Sequence, residues 1–389
     1  MFSVMVGAGE MYFPAFAFAL GAGKTVTGLV ATVPLLVGGG AQLVTPWAVS
    51  RLRSNGRWCL WTAGFQGAAV AALAAAALLG GLPVLWLFVL VSCYWAAGLA
   101  SGPAWTTWIE TLVPARIRSR YFAKRTVWCH AAQLAAVAGA TLVLPRGGEA
   151  GSMAAFAVLF VVATAARGVS TACLAAQSEP VPQPPGEVHL SMRELLTDAA
   201  HRPARRLCVY LLATHLAVQI ALPFVTSYLL GELHLSFAEL SLLLAVPFAA
   251  RIVALPWLGG VARRLGARRL MWIGAIAFIP AAALWPVSTH VAWIAFVQAV
   301  TGFAMAAFDL ANLLLWFETT RPEERTSVLT TYQFWYSAAV VLGSAVGSML
   351  LVTLGEGRAA FVAVFLVSAA ARVLACGLLA RTGRVAPPR

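Results

Sequence analysis

Residues 108–116 read WIETLVPAR and residues 316–325 read WFETTRPEER, with Trp, Glu, Thr and Pro at the same spacing. The chain holds only 14 Asp and Glu against 27 Lys and Arg, so a glutamate placed twice in one small frame is a landmark. The repeats predict a duplicated unit, a pattern found in secondary transporters whose site lies between two halves. Further landmarks recur in the same order in each half: Pro14 and Pro223, then the pairs Pro46-Trp47 and Pro256-Trp257.

The composition is that of a membrane chain. Hydrophobic residues make up 61% and charged residues 11%, where a soluble domain carries roughly 25% charge. A helix needs about 20 apolar residues to cross a bilayer, which leaves room for about a dozen crossings here. We predict an all-α membrane protein with 12 transmembrane helices in two pseudo-symmetric six-helix bundles. The predicted spans are residues 2–20, 26–48, 58–79, 83–112, 126–144, 152–177, 206–230, 237–261, 270–286, 290–318, 327–354 and 359–380.

A polar stretch in the middle of the chain predicts the domain organisation. It opens with four prolines and continues into a short helix that Ser191 and Glu194 can box at its start. We therefore predict an N-terminal bundle over residues 1–177 and a cytoplasmic linker with one surface helix over residues 178–205. Residues 206–389 are predicted to form a C-terminal bundle that ends in a short cytoplasmic tail.

Basic residues indicate the orientation in the membrane. Most of the 27 Lys and Arg fall in loops after even-numbered spans or in the tail, and only Lys24, Arg146 and Arg358 fall in loops on the opposite side. By the positive-inside rule both termini are cytoplasmic, which predicts a multi-pass protein of the inner (plasma) membrane. The arginines are scattered over short loops, so we attribute the net charge of +13 to the orientation of the chain in the membrane. A nucleic-acid partner is not expected, because it would need these arginines on one surface.

Ionisable residues inside the spans are the candidate site. A charge at the bilayer centre costs about 2.5 to 3.5 kcal/mol and is tolerated where it faces a cavity or a partner. Glu10, His215, Arg251 and Asp309 meet this description, and Gln219 matches Glu10 in the second half. We take these five as the substrate and proton-coupling candidates.

Glu10 has two interpretations. It is either a proton-coupling or cation-binding carboxylate, or a carboxyl group hydrogen-bonded to a neighbouring helix. Gly7, Gly9 and Pro14 lie beside it, and they favour a loosened or bent helix that can move.

The second-half candidates also leave alternatives open. Arg251 must find an anion, which can be Asp309, Glu10 or a substrate, and a structural pair with Asp309 competes with a substrate clamp. His215 is able to titrate near neutral pH, but a lone His on an apolar helix is more often a packing residue. Aromatic and amide side chains suit the wall of a cavity that takes a ligand with polar and apolar parts. The predicted wall residues are Tyr94, Trp95, Gln333, Trp335 and Tyr336.

The loop after the eighth span carries a family motif. Residues 259–269, GGVARRLGARR, resemble the signature GxxxDRxGRR of the major facilitator superfamily, with Gly259 and Gly266 in place. Residues 50–58, SRLRSNGRW, are similar to a weaker first copy. Arg53 and Arg263 stand where the family signature carries Asp, so the usual charge pairing inside the loop is lost.

The resemblance implies a transporter that rocks two halves about a central cavity and closes its cytoplasmic side with a charged gate. In the family, an acidic residue at the end of the fourth helix engages the basic loop. The expected gate pairs Glu110 with Arg53 or Arg57. In the second half, the expected gate pairs Glu318 with Arg263, Arg264 or Arg268. The alternative is that each glutamate only caps or solvates a helix end.

These observations predict a secondary active transporter of a small solute, with proton coupling as a hypothesis that rests on Glu10 and Asp309. No GxxxxGK loop for ATP is present. A drug/proton efflux antiporter is the alternative, although the antiporter signature GxxxGPxxG is missing from the fifth span. A membrane enzyme is disfavoured because HxxxD and HExxH are absent, and a receptor without flux would have the same sequence features. The expected partners are the solute, the bilayer and protons. We expect a monomer without cofactor or metal.

Overall fold

The structure is a computed structural model that describes residues 1–144, 152–179, 202–320 and 325–380. All regular elements in these residues are helices. The first half contains α1 Phe2–Ala8, α2 Phe13–Ala19, α3 Lys24–Leu29, α4 Val33–Ala41, α5 Thr45–Leu52, α6 Asn55–Leu78, α7 Val84–Leu112, α8 Ala115–Val143 and α9 Ser152–Ala175. The second half contains α10 Arg202–Gln219, α11 Val225–Gly231, α12 Phe237–Leu265, α13 Ala267–Ala283, α14 Val291–Thr319, α15 Arg325–Thr353 and α16 Arg358–Ala380. Short 3-10 helices lie at Glu10–Tyr12, Gln42–Val44 and Leu222–Phe224.

Within the described residues, 11 helical segments are long and apolar enough to cross a membrane. They match the predicted spans one to eight and ten to twelve. The ninth predicted span, residues 270–286, corresponds to α13, which has 17 residues. The prediction of a multi-pass, all-helical membrane protein is therefore confirmed, while the count of twelve spans and their division into two bundles of six stay predictions. The predicted surface helix of the linker and the C-terminal tail lie outside the described residues.

Several spans are broken rather than continuous. The first span is α1 and α2 joined by the 3-10 turn Glu10–Tyr12, and the seventh is α10 and α11 joined by Leu222–Phe224. The predicted bend beside Glu10 is therefore confirmed. The second span, which reads as one apolar run, consists of α3, α4 and α5. A proline is the second residue of each of α2, α4 and α5, and in this first turn a missing amide hydrogen leaves no helical bond unmade.

The described residues group into two compact units that do not follow the halves of the sequence. The first unit comprises Met1–Pro184 together with Val225–Ala245, and the second comprises Pro185–Phe224 together with Val246–Arg389. Inside the first unit, the Lys24 ammonium donates to the Glu232 carboxylate, and the Ser227 hydroxyl donates to the Lys24 carbonyl at 2.8 Å. Lys24 is one of the three basic loop residues that the sequence assigns to the side of the membrane opposite the other loop cations. Its partner in the structure is Glu232.

Each unit has its own aromatic core. In the first unit, the rings of Phe16 and Phe160 meet edge to face with centroids 5.1 Å apart. In the second unit, the ring of Phe308 lies 5.4 Å from that of Phe278 and 6.3 Å from that of Tyr210. These rings are buried. Lipid tails are as apolar as the side chains, so close packing and not transfer from water holds such helices together.

The repeated WxET frame contributes its tryptophan to the interior of both units. Trp108 is buried with Cys59 and Ala104, and its ring N–H donates to the Ser178 carbonyl at 3.1 Å. Trp316 is also buried, and its ring centroid lies 5.2 Å from that of Tyr332. The frame is thus an anchor at the end of the fourth and tenth spans.

Two glycines on α15 let it approach α10 closely. A Cβ atom at Gly343 would lie 2.3 Å from the Leu216 carbonyl oxygen, and one at Gly347 would lie 2.1 Å from the Ile220 carbonyl oxygen. Their GxxxG spacing is the arrangement that brings helix backbones together in membranes.

We expect Gly347→Ala to destabilise the protein by about 1 to 3 kcal/mol, because the added methyl group must push α15 away from α10. Thermal unfolding of the purified protein in detergent measures this. Gly377→Ala on α16 is the matched control, since no atom lies within 4 Å of a Cβ there. An equal loss in both variants would contradict the packing argument.

Candidate functional site

Glu10 lies in the 3-10 turn that interrupts the first span. The Tyr94 hydroxyl donates to its Oε2 atom at 2.7 Å, and Tyr94 is held in turn by an edge-to-face contact with Phe13 at 5.1 Å. In the described part of the chain no cationic side chain lies within 4.0 Å of the Glu10 carboxylate. Tyr94, expected as part of an open wall, is fully buried and serves as the hydrogen-bond donor to Glu10.

The turn beside Glu10 is itself tied by polar groups. The Tyr12 hydroxyl lies 2.5 Å from the Ser241 hydroxyl, which donates to the Val137 carbonyl at 2.8 Å, and the Thr141 hydroxyl bonds Ser241 at 3.2 Å. All of these residues belong to the first unit. The break is therefore held from two other helices, α8 and α12.

Arg251 and Asp309 form an ion pair inside the second unit. The Nη2 atom of Arg251, on α12, lies 2.5 Å from the Oδ2 atom of Asp309, on α14. The side chain of Arg251 is 17% exposed and that of Asp309 is 57% exposed. The structural pair left open by the sequence is therefore formed, and its acidic member keeps an accessible face.

His215 packs among aromatic rings. Its ring meets that of Tyr336 edge to face at 4.6 Å and that of Phe308 at 5.6 Å. Phe308 precedes Asp309 in the chain, so this aromatic group adjoins the ion pair in sequence. The packing interpretation of His215 fits this geometry.

The other expected residues are dispersed. Gln219 ends α10, and Trp95 meets the ring of Tyr94 at 5.8 Å. The carbonyl of Gln333 accepts the Ser337 hydroxyl at 3.2 Å, and Trp335 is exposed. The roles of Gln219 and Gln333 stay predictions.

The expected cytoplasmic gate is not assembled in the described residues. The side chain of Glu110 lies outside them, while Arg53 and Arg57 are exposed. Glu318 is exposed, and among the described side chains it has no ion pair within 4.0 Å with Arg263, Arg264 or Arg268. Both gate pairings stay predictions.

A different acid occupies the start of α6, where the first copy of the basic loop ends. The Glu179 carboxylate accepts the Ser54 hydroxyl and the backbone N–H groups of Asn55 at 2.7 Å and Gly56 at 3.2 Å. The N–H groups at a helix start have no partner within the helix, and a carboxylate there is favoured by the helix dipole. Gly56 permits the approach, because a Cβ there would lie 3.1 Å from the Glu179 Oε2 atom. The sequence did not point to Glu179, because it lies more than 120 residues from the helix that it caps.

Two buried arginines were also missed from the sequence. Arg167 is 4% exposed and Arg372 is 6% exposed, and each lies on the last span of its half. The signal was present as a repeat: residues 154–167 read AAFAVLFVVATAAR and residues 359–372 read AAFVAVFLVSAAAR. The phenylalanines in this repeat are buried in both copies.

The two arginines bond to neutral groups. Arg372 donates to the Phe278 carbonyl at 2.6 Å and lies 5.8 Å from the centre of that ring. Arg167 lies 5.1 Å from the ring centre of Phe2 and reaches the Ser170 hydroxyl at 3.5 Å. Neither has a carboxylate within 4.0 Å among the described residues, and the Nε atom of each has no hydrogen-bond partner there.

We expect Arg372→Met to keep or raise the free energy of unfolding, by up to about 4 kcal/mol, because a buried charge without a counter-ion pays for desolvation that an apolar side chain avoids. Chemical or thermal unfolding in detergent measures this. Arg358→Met, at the exposed start of the same helix, is the control and should change stability by less than about 0.5 kcal/mol. A loss of more than about 1 kcal/mol for Arg372→Met would show that its bonds to Phe278 outweigh desolvation.

Comparison with solved structures gives one recurring fold. The nucleoside transporter NupG matches with a TM-score of 0.68 and 13% identity, over 98% of this chain and 96% of that chain. An auto-inhibited POT family peptide transporter matches with a TM-score of 0.74 and 14% identity, over 99% and 96%. A bacterial homologue of the iron transporter ferroportin, in an outward-facing state, matches with a TM-score of 0.59 and 17% identity, over 98% and 97%. Comparison with curated proteins gives no match.

The chain has a fold that is shared by multi-span membrane transporters. Residues 207–389 match the family model of the Major Facilitator Superfamily. This match covers the second half of the chain, and the likeness to solved transporters extends the same fold over nearly its whole length. The resemblance noted in residues 259–269 is thereby confirmed.

Proposed function

We propose that the protein is a secondary active transporter that moves a small solute by alternating access and couples this movement to protons. The observation that carries the proposal is Glu10, a carboxyl group at a helix break within the first span, bonded by the Tyr94 hydroxyl. The Tyr94 hydroxyl carries no positive charge that would neutralise an ionised Glu10, so binding a proton is the way in which Glu10 can lose its charge. In membrane proteins an ionisable group at such a break is a default candidate for an ion or proton pathway.

Support for a polar solute comes from the second unit. Arg251 and Asp309 form an ion pair within the spans, and Asp309 is partly exposed. A charged solute group can compete for either member of such a pair, and aromatic rings beside it suit an apolar ligand part. We propose Arg251, Asp309 and His215 as solute-binding positions, with Gln219 at the matching helix break.

The remaining parts of the proposal concern topology and gating. Both termini are cytoplasmic, the membrane is the inner (plasma) membrane and the protein acts as a monomer. The basic loop residues Arg263, Arg264 and Arg268 meet Glu318 when the cytoplasmic side closes, and Glu110 meets Arg53 or Arg57. The solved structures that share this fold are a nucleoside transporter, a peptide transporter and a bacterial homologue of an iron transporter. Because one fold serves transporters of such different solutes, the solute of this protein must depend on its site residues.

The first experiment searches for the solute. It measures the thermal shift of the purified protein with a panel of anionic, cationic and neutral metabolites and drugs. A ligand present at 100 times its Kd stabilises the native state by about 2.7 kcal/mol. Stabilisation by anions that is lost in Arg251→Gln supports an anionic metabolite. Stabilisation by lipophilic cations that is lost in Asp309→Asn or Glu10→Gln supports the drug/proton antiporter.

We expect uptake or efflux of that solute in proteoliposomes to respond to a pH gradient in the wild type, and the response to fall at least tenfold in Glu10→Gln. Tyr94→Phe should shift the pH dependence of transport without abolishing it, because only a hydrogen bond to the carboxyl group is lost. Glu239→Gln is the matched control, since Gln also serves at this position in the capping box that begins with Ser236. Transport that ignores the gradient in the wild type would exclude proton coupling.

A further inference from the structure

The C-terminal end of α12 carries a groove that contains none of the proposed solute-binding positions, although its two arginines also belong to the proposed gate. Its volume is about 620 Å³, within the range of roughly 300 to 1,000 Å³ that small-molecule sites occupy. Trp257, Gly260 and Val261 line one part of it, and Arg263 and Arg264 line the other. The groove is therefore apolar along the helix and strongly basic at the helix end.

The apolar part continues along one exposed face of α12. Val253 is 78% exposed and Trp257 is 58% exposed, and residues four apart lie on the same helix face. A Cβ at Gly260, the next residue on that face, would have no atom within 4 Å, so this position is open space. The Trp257 ring packs against the ring of Phe303 on α14, with centroids 5.9 Å apart. An apolar stripe this exposed on a membrane span suits contact with hydrocarbon.

No described acidic residue pairs with the basic part of the groove. Arg263 and Arg264 are exposed on the last turn of α12, and neither has a carboxylate within 4.0 Å among the residues that the structure describes. Arg263 also stands at the position where the family signature carries Asp. The substitution replaces a carboxylate by a second cation and leaves two neighbouring positive charges facing one groove.

We propose that this groove binds an anionic phospholipid, with the phosphate of the headgroup on Arg263 and Arg264 and an acyl chain along Trp257 and Gly260. A soluble anion would use the two cations but would gain nothing from the exposed apolar stripe. Basic pockets at the cytoplasmic ends of transmembrane helices suit lipid phosphates, and each basic residue near the surface contributes about 1 kcal/mol. The placement at that membrane surface rests on the proposed orientation.

Native mass spectrometry and thermal unfolding of the full chain in neutral detergent test this proposal. The probes are a phosphatidylglycerol, a phosphatidylcholine with the same acyl chains, and free glycerol phosphate. We expect the phosphatidylglycerol to be retained and to raise the Tm more than the other two. Arg263→Gln with Arg264→Gln should weaken its binding by about 25-fold, or roughly fivefold for each arginine.

Two further variants separate the parts of the site. Gly260→Leu fills the open apolar space and should weaken phosphatidylglycerol binding although both arginines remain. Arg51→Gln with Lys124→Gln removes the same charge from other exposed positions and should leave binding within twofold of the wild type. Equal retention of the two lipids would overturn the proposal, as would equal stabilisation by free glycerol phosphate. Equal losses in the groove and control variants would also overturn it, because they would reduce the effect to overall charge.

Discussion

A polar group inside a bilayer has no water to bond, and this constraint governs where the chain can interrupt its helices. A broken span frees backbone N–H and carbonyl groups, so it is tolerated only where a local 3-10 adjustment or another part of the protein supplies partners. At Glu10–Tyr12 the 3-10 turn supplies them itself, since the Tyr12 N–H donates to the Gly9 carbonyl at 2.9 Å and the Phe13 N–H donates to the Glu10 carbonyl. The side chains of Glu10 and Tyr12 are polar groups within the same span, and they find their partners in Tyr94 and Ser241.

The same constraint explains which features could be predicted from the sequence. Span positions depend on hydropathy summed over about 20 residues, a local property, and the predicted runs match the helices closely. The pairing of Arg251 with Asp309 was one of the alternatives that followed from the need of a membrane arginine for an anion, and a substrate clamp was another. Tyr94 was identified as a site residue from its type, but its role as donor to Glu10 depends on how α2 and α7 pack, which the sequence does not encode locally.

Other features of the structure were not predicted from the sequence. Arg167 and Arg372 lie inside the predicted spans 152–177 and 359–380 and were overlooked there, although the repeat that ends in each arginine marks them; that they are buried with no carboxylate beside them among the described residues depends on how the helices pack. Glu179 caps α6 from more than 120 residues away, and no local pattern marks such a partner. The grouping of Val225–Ala245 with the first unit depends on contacts such as Lys24 with Glu232, which likewise join distant parts of the chain.

The buried repeat that ends in Arg167 and Arg372 adds one more pair of matching positions, from which the interval between the two predicted copies can be measured. Matching landmarks are 209 residues apart at Pro14 and Pro223, and 210 apart at the two Pro-Trp pairs. The interval is 208 residues at Trp108 and Trp316, and 205 at the two arginines. The interval is therefore shorter toward the end of each half, so the later part of the second half is a few residues shorter than that of the first. Any position in one half can now be assigned its counterpart in the other from the nearest landmark.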